Sequence, residues 1–245
     1  MEKGKLTVIG AGPGDVELIT LKATKVLASA DIVLYDALVN PELLEYCSQA
    51  ELLYVGKRKG CYAFQQEQIN QMIVDYGKTH GHVVRLKGGD PFIFGRGSEE
   101  MEYAASQGMS VAMVPGLSSS VSVPAMQHIP VTKRGSAESF WVITATTKEH
   151  KLSEDILLAA QSNATVVILM GMHKLSKIVA AFVEQGKQQT PVAIIQNGTR
   201  KNEKVGIGTI ETIEAVVKQK ALASPAIIVI GDVVNHRQLI APYLQ

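Results

Sequence analysis

The stretch RLKGGDPFIFGRG, residues 85–97, lies between a run typical of a β-strand (82–86) and a run typical of a helix (98–106). It therefore fills the strand-to-helix turn of an α/β unit, and ligands of open α/β sheets bind at the carboxyl ends of strands. Glycines there allow a close backbone approach, and Pro91 stiffens the turn after Asp90. We predict a ligand-binding loop, against the alternative of a tight turn with solvated charges.

The regions around this loop alternate between strand and helix patterns. Strands are predicted at 6–9, 31–35, 51–55, 82–86 and 110–114, and helices at 21–29, 42–47, 65–78 and 98–106. A second set follows, with strands at 139–144, 165–170, 192–196, 226–230 and an optional one at 203–208, and helices near 154–160, 175–184 and 210–218. This alternation predicts two α/β domains, 1–116 and 117–245, with mainly parallel or mixed sheets.

The composition describes an ordinary globular protein: 46% of its 245 residues are hydrophobic and 19% are charged. A net charge of +1 provides no field that favours nucleic acid or an anionic membrane. Apolar runs stay well below the roughly 18 residues of a membrane helix, and no signal-peptide core follows Met1. We expect a cytoplasmic protein with no nucleic-acid or membrane partner, and the cysteines and histidines show no metal-ligand spacing.

The string GAGPGD at 10–15 follows the first strand and invites comparison with dinucleotide-binding loops. Asp15 stands where that fingerprint has its third glycine, and Pro13 removes a backbone donor from the turn. Both features disfavour a phosphate ligand. The loop suits a cation or a ribose hydroxyl better.

Six strings carry a family resemblance: GAGPGD at 10–15, YDALV at 35–39, VGKR at 55–58, the 85–97 loop, VPG at 114–116 and IPVT at 129–132. In this order they resemble the uroporphyrinogen-III C-methyltransferase family of the tetrapyrrole methyltransferase superfamily, over nearly the whole chain. The resemblance implies a homodimer that binds S-adenosyl-L-methionine in a cleft between its two domains. It also implies methylation of the tetrapyrrole uroporphyrinogen III at C2 and C7, which gives precorrin-2 for sirohaem and cobalamin and leaves S-adenosyl-L-homocysteine.

The resemblance further implies that Asp36 is a proton acceptor and Lys57 a proton donor. Asp36 follows the second predicted strand, and a helix cap or turn acid is the alternative interpretation. Lys57 and Arg58 follow the third, where a solvated turn is the alternative. Arg58, Arg96, Lys133 and Arg134 are predicted to bind the carboxylates of the substrate.

The cofactor contacts implied by the resemblance are Pro13, Gly88, Gly89, Asp90, Ile93, Ser118, Ser119 and Met170, with Gly198, Pro225 and Ala226 as further candidates. Asp90 would accept hydrogen bonds from the ribose or the ammonium group. Met170 would pack on adenine, unless it is a core methionine that ends a buried strand.

The chain departs from the family pattern at Tyr62, His128, Lys133 and the pair Ala145-Thr146, where the family usually has histidine, glycine, histidine and Gly-His. Two alternatives stay open: another methyltransferase of the superfamily, or a non-catalytic tetrapyrrole- or nucleotide-binding module.

Overall fold

A computed structural model describes residues 4–56, 64–147, 149 and 151–243. The chain divides into two compact units, Met1–Ser118 and Ser119–Gln245. Each unit carries a sheet with five strands among the described residues. Within the same residues, no helix is long and apolar enough to cross a membrane.

The first unit alternates strands and helices, as the sequence predicts. Its strands are β1 (Lys5–Gly10), β2 (Ile32–Tyr35), β3 (Glu51–Tyr54), β4 (His82–Lys87) and β5 (Ser110–Val114), and its helices are α1 (Leu21–Ala28), α2 (Gln66–His80) and α3 (Gly97–Ser106). Short 3-10 helices cover Val16–Leu18 and Pro41–Tyr46. The strand order is β3-β2-β4-β1-β5, and every pair is parallel.

The central strands of this sheet are buried on both faces, because helices cover each side. Strand β1 is therefore buried continuously from residue 6 to residue 10 rather than at alternate residues. One face packs against α1 and the 3-10 helix at Pro41–Tyr46. The other face packs against α2 and α3. Helix α2 begins at a capping box, in which Gln65 N donates to Gln68 Oε1 over 2.8 Å.

The second unit has a mixed sheet. Its strands are β6 (Phe140–Thr144), β7 (Thr165–Leu169), β8 (Pro191–Gln196), β9 (Lys204–Thr209) and β10 (Ala226–Ile230), and its helices are α4 (Ser119–Met126), α5 (Asp155–Gln161), α6 (Leu175–Glu184), α7 (Ile213–Lys220) and α8 (His236–Ile240). Further 3-10 helices lie at Met172–Lys174, Asp232–Asn235 and Ala241–Tyr243. The order is β6-β7-β10-β8-β9, in which β6 and β7 are parallel and the other pairs antiparallel.

Strand β10 runs antiparallel between β7 and β8 and brings its amino end to their carboxyl ends. The loops at Met170, Asn197 and Pro225 therefore meet at one edge of the second sheet. Asn197 N donates to Pro225 O over 3.0 Å and joins two of these loops. The fold class predicted from the sequence, two α/β units with parallel or mixed sheets, is confirmed.

Candidate active site

The five parallel strands of the first unit end at one edge, where the loops after β1 and β4 are bonded to each other through their backbones. Gly12 of the loop after β1 and Gly89 of the loop after β4 exchange two N–H···O=C bonds, of 2.7 and 3.2 Å. Ala11 N donates to Lys87 O over 2.7 Å. Pro13 follows in the first of these loops, and Gly88 lies against Leu38 of the loop after β2. The predicted cofactor loops are therefore neighbours.

Gly10 and Gly116 mark where backbone packs directly on backbone at this edge. A Cβ atom at Gly10 would lie 2.6 Å from Gly89 O, and one at Gly116 would lie 2.7 Å from the Gly10 Cα atom. Real Cβ atoms do not approach so closely, and the atoms they would meet are main chain. The third loop, after β5, is thus seated on the other two through glycine.

Asp90 joins the β4 loop to the β5 loop through both carboxylate oxygens. Oδ1 accepts from Phe92 N over 2.8 Å, and Oδ2 accepts from Gly116 N over 3.1 Å. Each carboxylate oxygen can accept a second hydrogen bond. The predicted contact of Asp90 with a ribose or ammonium group therefore stays compatible with its bonds inside the protein.

The segment from Phe92 to Arg96 exposes apolar side chains on a strained backbone. Phe92, Ile93 and Phe94 are all exposed to solvent. Phe94 and Arg96 have φ values of 53° and 60°, in the left-handed region that residues other than glycine seldom adopt. Such strain is concentrated at functional sites. This observation supports a binding role for the loop.

Asp36 lies just after β2 at the same edge, with its side chain 23% exposed. Its Oδ1 accepts from Leu38 N over 3.0 Å, which is the turn that the alternative interpretation describes. Its Oδ2 lies 3.6 Å from Nη2 of Arg85, which a turn acid alone does not require. The other predicted groups of this region, Lys57, Arg58 and Tyr62, lie outside the described residues.

Arg96 is exposed and already has an anionic partner in Glu99. Its Nε donates to Oε1 over 3.0 Å, and its terminal nitrogen Nη2 donates to Oε2 over 2.7 Å. These hydrogen bonds raise the pKa of Arg96 above its usual value. A substrate carboxylate would share the guanidinium with Glu99.

Lys133 and Arg134 lie in a tight hairpin closed by two backbone bonds between Lys133 and Ala137, of 2.9 and 2.8 Å. The hairpin leads to the amino end of β6. Ser136 within it lines a cavity of about 320 Å³, together with residues 162–164 and 230–232. Those residues lie at the edge of the second sheet opposite to Met170.

The edge of the second unit that carries Met170 also carries Gly198, Pro225 and Ala226. Met170 has a φ of 55° and is 51% exposed, so the interpretation as a core methionine is wrong. Continuing the pairing of β7 with β10 places Ala226, preceded by Pro225, opposite Met170. Gly198 lies in the turn after β8, against Val123 of α4. Ser119 begins α4, and Ser118 is the last residue of the first unit.

Sequence reasoning missed a buried charged cluster beneath the first edge. Arg85 and Lys87 on β4 and Glu100 on α3 are all buried. Burial, above all, and the Arg85 charge hold the pKa of Lys87 below its usual value, while Glu100 raises it. The sequence did contain a sign of this cluster: Arg85 and Lys87 lie in a predicted strand that is otherwise apolar. A buried charge needs a partner, so two cations there indicate a buried anion nearby.

The chemistry of these residues fits S-adenosyl-L-methionine. Half-exposed apolar side chains, at Ile93 and Met170, suit adenine and the thioether portion. Carboxylate and hydroxyl groups, at Asp90, Ser118 and Ser119, suit the ribose and the amino-acid end. The cleft predicted from the resemblance stays a prediction.

Comparison with known proteins identifies the family. The model of the Tetrapyrrole (Corrin/Porphyrin) Methylases matches residues 5–214. A uroporphyrinogen-III C-methyltransferase of Methanocaldococcus jannaschii is 45% identical over 95% of this chain and 97% of its own. A siroheme synthase of Pseudomonas putida is 40% identical over 97% of this chain but only 52% of its own, so this chain spans about half its length.

Among solved structures, a uroporphyrin-III C-methyl transferase of Thermus thermophilus, complexed with S-adenosyl homocysteine, superposes with a TM-score of 0.82. It is 32% identical and covers 95% of this chain and 99% of its own. The matched residues include all the loops described above except the one at Pro225, which lies beyond residue 214. The chain belongs to the tetrapyrrole (corrin/porphyrin) methylases.

Proposed function

We propose that the protein is an S-adenosyl-L-methionine-dependent C-methyltransferase that methylates uroporphyrinogen III at C2 and C7 and so produces precorrin-2. The observation that carries this proposal is the 45% identity to a uroporphyrinogen-III C-methyltransferase along almost the whole of both chains. The product serves the synthesis of sirohaem and cobalamin.

The bound cofactor supplies an electrophilic methyl group on a sulfonium centre. The residues of the chain would position this donor beside the pyrrole carbon, and positioning can provide up to about 7–11 kcal/mol. In the first unit, Pro13, Gly88, Gly89, Asp90, Ile93 and Ser118 bind the donor. In the second unit, Ser119, Met170, Gly198, Pro225 and Ala226 do so.

The acceptor is a polyanion with an apolar ring system. Arg96, Lys133 and Arg134 bind its carboxylates, together with Arg58, and the forked guanidinium groups give bidentate pairing. Arg96 contributes while bonded to Glu99, which holds its side chain in place. The exposed rings of Phe92 and Phe94 supply apolar surface beside it.

Methylation of a pyrrole carbon leaves a cationic macrocycle that must lose a proton. Asp36 accepts this proton or directs a water to it, because its partly exposed carboxylate lies at the same edge as the donor loops. Asp36 and Lys57 form a pair in this proposal, with Asp36 as the proton acceptor and Lys57 as the proton donor. The protein acts in the cytoplasm as a homodimer, and light scattering should give about twice the chain mass of 26.4 kDa.

The deciding experiment incubates the purified protein anaerobically with uroporphyrinogen III and methyl-labelled cofactor, then analyses the oxidised products by mass spectrometry. A gain of two methyl groups is expected, and the Asp36→Asn variant should accumulate far less product. No methyl gain, or methylation only of a more highly methylated tetrapyrrole, would overturn the assignment. Calorimetry with S-adenosyl-L-homocysteine separates a loss of cofactor binding from a wrong acceptor.

A further inference from the structure

A cluster of buried charges lies under the candidate active site. Arg85 and Lys87 are two residues apart on β4 and so point to the same face of the sheet, toward α2 and α3. The Arg85 side chain is only 4% exposed. A buried cation is costly unless it is paired and hydrogen-bonded, so the partners of these two residues matter.

Their common partner is Glu100 of α3, whose side chain is 0% exposed. Its Oε1 accepts from Arg85 Nε over 3.2 Å and from Lys87 Nζ over 2.8 Å. Gln66 Nε2 donates to the same oxygen over 3.1 Å. Arg85 is further fixed by donating from Nη1 to the carbonyl oxygens of Leu34 and Leu86, at 3.2 and 3.1 Å.

The cluster reaches the surface of the site at Asp36. With its Nε and Nη1 groups bonded inside the protein, Arg85 directs Nη2 toward Asp36 Oδ2, 3.6 Å away. The charges that act on Lys87 are those of Arg85, Glu100 and Asp36. Two cations and one buried carboxylate leave one positive charge, and the Asp36 carboxylate balances it.

We propose that Arg85, held by Glu100, is a positioning residue that fixes the orientation of the Asp36 carboxylate. Leu38 N holds one carboxylate oxygen and Arg85 faces the other, so the side chain has one favoured orientation at the edge of the sheet. Glu100 touches none of the reacting groups. It acts by orienting the Arg85 guanidinium and by pairing with its positive charge.

This inference rests on the proposed role of Asp36, and a double-mutant cycle tests it. Asp36→Asn, Arg85→Met and the double variant are compared by kcat for methyl transfer to uroporphyrinogen III. Each single variant should lose at least about tenfold, since general acid–base groups contribute roughly 10²–10⁴-fold. If Arg85 acts through Asp36, the double variant should be no slower than the slower single variant. Losses that multiply would overturn the proposal.

Two further measurements separate positioning from a purely structural role. Arg85→Met should leave KM and the affinity for S-adenosyl-L-homocysteine within about twofold of wild type. The control variant Ile73→Ala creates a cavity under α2, on the same face of the sheet. It should lower the melting temperature, but kcat measured well below that temperature should not fall. If Arg85→Met does not fold, Arg85→Lys replaces it, because lysine keeps the charge but lacks the fork that faces Asp36.

Crystal structures of Arg85→Met and Glu100→Gln provide a readout that needs no activity. The Asp36 carboxylate should leave its wild-type orientation in both, and an unchanged carboxylate would overturn the positioning role. If the wild-type protein does not methylate uroporphyrinogen III, the proposed function fails and these structures still decide the positioning. If Asp36→Asn retains full kcat while wild type is active, the role of Asp36 and the proposal fail together.

Discussion

Asp90 accepts backbone N–H groups from two loops at once, and this makes one side chain both a binding group and a structural link. Its bond to Gly116 N crosses from the β4 loop to the β5 loop. Its bond to Phe92 N shapes the turn that presents Ile93. Removing the carboxylate therefore changes the shape of the cofactor loops as well as their hydrogen bonding.

We predict that Asp90→Ala weakens binding of S-adenosyl-L-homocysteine by at least about tenfold, because hydrogen bonds to a charged group contribute roughly 1.5–3 kcal/mol each. Titration calorimetry measures the affinity, and a thermal melt measures the stability. Asp90→Asn keeps one accepting oxygen and should lie between wild type and the alanine variant. A lower melting temperature with unchanged affinity would leave Asp90 with its structural role alone.

Gly116→Ala should destabilise the first unit by forcing a Cβ atom into the backbone of Gly10 and Gly89. Urea unfolding should show a larger loss for Gly116→Ala than for Gly108→Ala. Gly108 has a φ of 84° and nothing within 4 Å of its Cβ position, so its substitution reports backbone strain alone, about 1–2 kcal/mol. Equal losses would contradict the close packing of the three loops.

Among the elements, the loop from Phe92 to Arg96 combines a strained backbone with exposed apolar side chains. Substitutions can separate the effects of these two features. Phe94→Asn should raise the melting temperature, since asparagine tolerates a positive φ better than phenylalanine does. It should also lower kcat/KM for the tetrapyrrole by removing an exposed ring. Phe92 is similarly exposed but has no positive φ, so Phe92→Asn should lower kcat/KM without raising the melting temperature. A stability gain in both variants would contradict the strain argument.

The sequence predicted the position of nearly every long element, because strands buried on both faces are continuous apolar runs between turn residues. The segment at 42–47 differs: it is a 3-10 helix, over Pro41–Tyr46, capped by Asn40, whose Oδ1 accepts from Glu42 N. The direction of β10 could not be predicted, since AIIVI reads equally well as a parallel or an antiparallel strand. That direction alone brings Pro225 to the edge that carries Met170.

The candidate site was predictable only where short motifs identify it. The family strings located Asp36 and the loops after β1, β4 and β5. They did not predict that Asp90 bonds to a neighbouring loop, or that Glu100 collects three donors, because both depend on contacts between distant elements. Met170 shows the limit of composition: methionine at a strand end suits a core or a binding surface, and only its φ and exposure distinguish them.

At the scale of the whole molecule, acid should destabilise the protein in part through His82 at the amino edge of the first sheet. Burial, foremost, lowers the pKa of His82 below its ordinary 6.5, while its bond to Ser29 O opposes the shift. The unfolded chain then binds this proton more readily than the folded one, so stability falls as the pH drops below about 6.5.

Urea unfolding of wild type and His82→Gln at about pH 7.5 and about pH 5.5 checks this linkage. The variant should lose less stability between the two conditions than wild type does. Carboxylates that titrate in the same range act in both proteins and cancel in the comparison. An equal loss in both would show that His82 does not contribute.

The place of β10 also governs when the second unit can form during synthesis. Among the described strands it is the last to be made, yet it lies between β7 and β8. A nascent chain that ends before Ala226–Ile230 holds two half-sheets with unpaired inner edges, whereas the first sheet has all its described strands by Val114. Because domains fold as units while the ribosome works at about 5–20 residues per second, the first unit has several seconds to fold before the second sheet can close.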